Sequence, residues 1–239
     1  MEMKFDNLME EVVFVYMERE FYKYKTDMCK LFADYRSDKS SWHNYTTLYN
    51  LIFEAYQLKD KPINLFELGL GTNNTSIKSN MGANGKPGAS MRAFSDYFPN
   101  ANIYGADIDK DILFQEGRIK TFFCDQTNPE VIQNMWSNID EEFDVIIDDG
   151  LHEAWANIIF FQNSFQKLKK GGIYIIEDIL NKDLYPLEKF LRTVDCQFQT
   201  IVTLPMDESW NKDPSVTYIY NTNLPKINIY DNSMAVIVK

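Results

Sequence analysis

FDVIIDDGLHEAWANIIFFQNSFQKLKKGGIYIIED, residues 143–178, decides the fold of this chain. Two short apolar runs, 144–147 and 173–176, each end in acids. The first is followed by Asp148, Asp149 and Gly150, with His152 just beyond; the second by Glu177 and Asp178. Residues 154–168 between them read as a helix, closed by Gly171-Gly172. Strand, helix, strand in this order makes a right-handed crossover between parallel neighbours. Both strand ends then lie at one edge of the sheet, where open α/β sheets bind ligands. Acids distant in sequence converge there. Asp149, Glu177 and Asp178 suit a hard divalent cation, which takes oxygen ligands, and His152 suits a proton acceptor. Consecutive strand residues face opposite sides, so Glu177 and Asp178 share one ion only where the strand has ended. Asp148 reads either as a support behind the ion or as a turn cap.

Upstream, residues 63–70 form a buried-strand pattern that runs into Gly69-Leu70-Gly71-Thr72-Asn73, with Glu67 two residues before the first glycine. A glycine turn directly after a strand lets backbone approach a ligand closely. Dinucleotide folds usually carry their acid on the second strand instead. The Asn/Gly-rich stretch 72–89 is long enough for a functional loop, or a tolerated insertion. Residues 90–98 and 129–136 read as helices, the latter with Pro129 at its start. Residues 102–109 and 119–124 read as strands. The first ends in Asp107 and Asp109, and an acid there commonly receives ribose hydroxyls; Asp125-Gln126 follows the second. Downstream, 184–194 is helical and 198–204 a strand. Residues 216–220 and 234–238 are β-like and fit an antiparallel hairpin at the sheet edge. Residues 1–60 read as a helical extension of a single domain at 61–239. It has helices at 9–25 and 45–58, separated by a polar break at 36–41. Tyr45, Leu48, Tyr49, Ile52 and Tyr56 recur at helical spacing, a core stripe. His43 is a candidate lid over a ligand.

The 239 residues are 45% apolar, enough for a core, and carry a net charge of −11. That charge argues against non-specific nucleic-acid binding and against an anionic membrane surface. Three cysteines, Cys29, Cys124 and Cys196, match no zinc or redox spacing. They read as reduced thiols of a cytoplasmic protein. Neither a signal peptide nor a membrane-spanning run is expected.

Taken together, Glu67-Leu68-Gly69-Leu70-Gly71, Asp107 and Asp125-Gln126 resemble class I S-adenosylmethionine-dependent methyltransferases. DDGLH at 148–152 and IIED at 175–178 resemble, more narrowly, the metal-dependent sugar O-methyltransferases, the group of macrolide-sugar methyltransferases and cephalosporin-hydroxylase-like proteins. Ser37-Asp38-Lys39, His43 and Tyr45 are similar to that group's segment ahead of the first strand. GKPGAS at 85–90 resembles bacterial members near surface-polysaccharide genes. The likeness covers residues 36–180. Asn73 stands where many methyltransferases have a third glycine.

The resemblance implies a Rossmann-like fold: a mostly parallel, seven-stranded sheet with helices on both faces. It implies S-adenosylmethionine and Mg²⁺ (or Mn²⁺) as cofactors. Glu67 and the glycine turn with Gly69 and Gly71 would hold the methionine part, Asp107 the ribose, and Asp125 and Gln126 would lie near the adenine, with Asn73, Ile108 and Asp148 also at the cofactor. Asp149, Glu177 and Asp178 would bind the metal, with Asp149 and His152 catalytic. The acceptor expected is a nucleotide-activated sugar for capsule or other surface polysaccharide, met by Lys78, Lys86 and Arg92. The motifs separate it poorly from another small diol, of catechol or natural-product type. An NAD-dependent oxidoreductase on a similar sheet is the rival, and a binding protein with a decayed site the third reading. The aromatic N-terminal region offers a surface for a second subunit.

Overall fold

The computed structural model describes residues 7–41, 43–204 and 232–239. Eight helices, α1 (Leu8–Glu18), α2 (Asp27–Asp34), α3 (Asp38–Ser41), α4 (Tyr45–Ala55), α5 (Ala89–Tyr97), α6 (Pro129–Ser137), α7 (Ala154–Ser164) and α8 (Asn181–Leu191), flank one sheet. Its strands are β1 (Asn64–Leu68), β2 (Asn102–Asp107), β3 (Gln115–Glu116), β4 (Ile119–Phe123), β5 (Phe143–Asp148), β6 (Leu168–Ile179), β7 (Phe198–Leu204) and β8 (Asn232–Val238). Their order is β3-β4-β2-β1-β5-β6-β8-β7. The pairings from β4 through β6 are parallel, whereas β3 on β4, β8 on β6 and β7 on β8 are antiparallel.

The expected seven-stranded, mostly parallel sheet is therefore corrected to an eight-stranded mixed one. The strand not anticipated, β3, has two exposed residues and no apolar pattern to announce it. The expected strand at 216–220 lies outside the described residues. The last strand does pair antiparallel, but it inserts between β6 and β7. Gly171 and Gly172 do not close a helix: α7 ends at Ser164, a 3-10 turn covers Phe165–Lys167, and both glycines lie inside β6. The helix expected over 9–25 stops at Glu18, because Glu20 takes a left-handed φ of 48°.

Alternate strand residues enter two cores. Leu65, Val145, Ile147, Ile173, Ile175, Met234 and Val236 pack toward α1, α2, α4 and α5. Phe66, Leu68, Ile146, Tyr174, Ile176, Ala235 and Ile237 pack toward α6, α7 and α8. Burial on both faces is why the central strands read as continuous apolar runs. The N-terminal helices are thus part of the domain's core. Strand order reverses at β1, whose neighbours are β2 and β5. A crevice opens beyond the strand ends at such a switch point.

Candidate active site

The crevice is a cavity of about 410 Å³, lined by the turn after β1, the ends of β2, β4, β5 and β6, and the loop 77–81. Gly69 has φ +90°, and a Cβ there would lie 1.9 Å from the carbonyl oxygen of Asp149. The turn after β1 and the turn after β5 therefore touch through backbone, which only glycine permits. Gly69→Ala forces a left-handed residue, costing about 1–2 kcal/mol before any collision. A loss of at least about 2 °C in thermal midpoint is the expected result of a melting experiment.

The long loop folds back over the cavity. Met81 N–H donates to Thr72 O at 2.8 Å, and Gly88 N–H to Leu70 O at 2.7 Å. Ser79 Oγ donates to Leu151 O at 2.8 Å, and Lys78 Nζ lies 2.6 Å from Glu153 Oε1. Asn73 is exposed and outside the cavity lining.

Gly69, Gly71, Asp107, Ile108, Asp125 and Gln126 stand in the cavity wall. The carboxylate of Asp107 accepts the N–H of Leu70 at 2.7 Å and that of Asp109 at 2.8 Å, so it is fixed at the strand tip. Two further residues expected in the wall sit behind it. Asp148 is fully buried and accepts hydrogen bonds from Gln126 Nε2 (2.8 Å), Asn157 Nδ2 (3.0 Å) and Gly150 N (3.3 Å). Burial pushes its pKa up to about 6, against those hydrogen bonds. Gln126 Oε1 also accepts from Leu151 N at 2.7 Å. Asp148 and Gln126 together pin the turn that carries Asp149 and His152. Glu67 is also fully buried, accepts from Ser90 Oγ at 2.6 Å, and sits 3.2 Å from Lys39 Nζ. Its pKa is pushed up to about 7 by burial, with Lys39 opposing.

The acids at the ends of β5 and β6 divide into two groups. One ligand atom each from Asp149, His152 and Asp178 lies within 4.8 Å of the others. His152 Nε2 is 3.1 Å from Asp149 Oδ1 and 3.2 Å from Asp178 Oδ2. The two carboxylates, grouped on the cavity wall, match the oxygen donors a hard divalent cation accepts, and the His152 imidazole stands beside them. Burial alone would lower the His152 pKa, but Asp178 and Asp149 outweigh it and raise it to about 9. His152 (φ 58°) and Asp178 (φ 53°) are both left-handed. Strain of about 1–3 kcal/mol per such residue persists where the surroundings over-determine it, commonly at functional sites.

Glu177, expected as the third metal ligand, is held elsewhere. Its carboxylate accepts from Lys39 Nζ and from Tyr49 Oη, both in short contacts. Both acids nevertheless reach the α4 side of the sheet. The register of β6 against β8 shifts between Ile176 and Ile179, and this irregularity breaks the side-to-side alternation. Tyr45 and Tyr49, one helical turn apart on α4, meet them: Tyr45 Oη donates to Asp178 Oδ1 at 2.6 Å. Asp178 also accepts from Asn232 Nδ2, and His43 Nδ1 stands 3.5 Å away. Burial opposes ionisation of Asp178, yet His43, His152, Tyr45 and Asn232 hold its carboxyl well below the usual range. His43 stacks on Tyr45 with centroids 5.1 Å apart, so it lies beside Asp178 in the wall.

Sequence reading placed Tyr45 and Tyr49 in the core stripe; both are buried there, but their hydroxyls hold the acids. Tyr rather than Phe at two successive inward turns was the available signal, since a buried hydroxyl needs a partner. Lys39 stood out only within the Ser37-Asp38-Lys39 resemblance; its residue type gave no signal of burial, because a lysine in a polar break usually faces water.

No protein-family model matches the chain. It is 29% identical over 143 residues to 8-demethyl-8-alpha-L-rhamnosyl tetracenomycin-C 2'-O-methyltransferase of Streptomyces olivaceus, covering 60% of this chain and 35% of that protein. It is 30% identical over 156 residues to demethylmacrocin O-methyltransferase of Streptomyces fradiae, covering 65% and 37% respectively. Among solved structures, the methyltransferase MycE of the mycinamycin biosynthetic pathway, in complex with Mg and SAH, aligns with a TM-score of 0.55 and 30% identity, over 65% of this chain and 40% of that one. The chain spans little more than a third of the length of the curated relatives it matches. It shares the α/β Rossmann-like fold of the methyltransferase MycE and is similar in sequence to proteins named as O-methyltransferases.

Proposed function

We propose that this chain, related as it is to sugar O-methyltransferases, transfers a methyl group from S-adenosylmethionine to a sugar hydroxyl with help from Mg²⁺ (or Mn²⁺). The observation that carries the reading is the grouping of Asp149, His152 and Asp178 on one wall of the cavity that the β1 glycine turn also lines. When bound, S-adenosylmethionine supplies an electrophilic methyl group, and the divalent ion supplies charge that lowers an acceptor hydroxyl's pKa. Asp149 and Asp178 would hold the ion, with Glu177 adjoining. The Gly69–Gly71 turn, Asp107, Ile108, Asp125 and Gln126 seat the cofactor, supported from behind by Glu67 and Asp148.

His152 Nε2 accepts the hydroxyl proton. The hydroxyl oxygen forms a bond to the methyl carbon as the carbon–sulfur bond breaks, leaving a methyl ether and S-adenosylhomocysteine. With only the two carboxylates beside it, the imidazole is protonated at neutral pH. A cation held by Asp149 and Asp178 would withdraw their pull on the imidazole and leave His152 Nε2 able to take a proton.

For a nucleotide-linked acceptor of surface-polysaccharide type, the cavity offers Lys86. Lys78 lines the wall but is paired with Glu153, while Arg92 is paired with Glu116 outside it. Calorimetric titration of S-adenosylmethionine and, separately, NAD⁺, each with Mg²⁺ and with EDTA, tests the cofactor. Micromolar S-adenosylmethionine binding that survives EDTA supports the reading; NAD⁺ binding alone sinks it. Methyl transfer to glycosylated natural products and to nucleotide sugars, followed by mass spectrometry, then separates the acceptor classes.

A further inference from the structure

Lys39 is buried, with 3% of its side chain exposed, although it belongs to the four-residue helix α3 of the N-terminal extension. Its ammonium lies 2.5 Å from Asp149 Oδ2, is bonded to Glu177 Oε2, and is 3.2 Å from Glu67 Oε1. These acids come from the ends of three adjacent strands, β5, β6 and β1. An ammonium has three donors and no acceptor; two donate to Asp149 and Glu177, while Glu67 Oε1 is an ion-pair neighbour with no hydrogen bond of its own. Asp149 is shared: Oδ2 faces Lys39 while Oδ1 faces His152. The segment delivering the lysine is anchored, since Ser37 N–H donates to Phe32 O at 2.9 Å and Ser40 Oγ to Cys29 O at 2.6 Å.

We infer that Lys39 is a positioning residue, an internal counter-cation that competes with a divalent ion for Asp149 and Glu177. The inference rests on the metal-assisted reading above. A cation drawing charge from Asp149 weakens that carboxylate's hold on the ammonium, and the coupling is reciprocal. Lys39 thereby tunes the divalent site from the extension and keeps Glu177 engaged while the ion exchanges. One ammonium in contact with acids at the cofactor turn and at the metal group also ties the tips of β1, β5 and β6 together.

The test is calorimetric titration of Mg²⁺ into the full chain, with melting curves in EDTA. Lys39→Met is expected to bind Mg²⁺ at least tenfold more tightly than the unsubstituted protein. It is also expected to melt lower in EDTA and to recover more of its midpoint on adding Mg²⁺. Should that variant fail to fold, the same comparison is made between Glu177→Gln and Lys39→Met/Glu177→Gln, where loss of the lysine still tightens binding several-fold. Equal Mg²⁺ affinity with and without Lys39 overturns the inference alone. Absence of Mg²⁺ binding in every protein overturns it together with the metal reading.

Discussion

His152→Ala is expected to slow methyl transfer by about 10²–10⁴-fold while leaving S-adenosylmethionine affinity within a few-fold. The loss corresponds to about 3–5 kcal/mol of transition-state stabilisation. The separation of rate from cofactor binding follows from position. His152 faces Asp149 and Asp178, at the acid group of the cavity. The glycine turn at Gly69 and Gly71 follows β1 and the acid Asp107 ends β2, whereas His152 follows β5. His152→Gln, which keeps hydrogen-bonding capacity but accepts no proton near neutral pH, should be as slow as alanine. Single-turnover rates and calorimetry on the same preparations check this. A variant that loses cofactor affinity as much as rate would show that His152 supports the cofactor seat and is not the base.

In EDTA, the protein is expected to lose up to about 3 kcal/mol of stability as pH rises from 6.5 to 9. The size follows from the shift of the His152 pKa from 6.5 to about 9, at about 1.4 kcal/mol per pH unit. A histidine whose folded pKa is raised binds its proton more tightly when folded. Its contribution is complete below pH 6.5 and disappears as pH rises through 9. Denaturant titrations at pH 6, 7.5 and 9 measure the slope, and His152→Gln should flatten it. Saturating Mg²⁺ should flatten it as well, because a cation on the same carboxylates no longer favours the imidazolium. A slope that is unchanged in His152→Gln would mean that other groups set the pH dependence.

The sequence by itself determined the crossover and the groups at the strand tips. Apolar runs ending in acids, interrupted by a helix-length segment, allow one handed connection and one functional edge. Asp149, His152 and Asp178 were legible for that reason, and the glycine turn at 69–71 because glycines directly after a buried strand mark a close backbone approach. What only the tertiary structure decided is which side chains face the cavity and which stand behind it. Adjacent letters such as Asp148 and Asp149, or Glu177 and Asp178, look equivalent in a string. Asp148 turns inward to Gln126 and Asn157, while Asp149 stays in the wall. Glu177 and Asp178 part company because β6 changes register between Ile176 and Ile179 and Asp178 takes a left-handed φ. The hydroxyls of Tyr45 and Tyr49 and the ammonium of Lys39 reach these acids across 128 to 138 positions of sequence. No local pattern encodes such partners. They meet because α3 and α4 pack on the sheet face where β1, β5 and β6 end, and a charge buried there requires a counter-charge from whatever segment lies opposite.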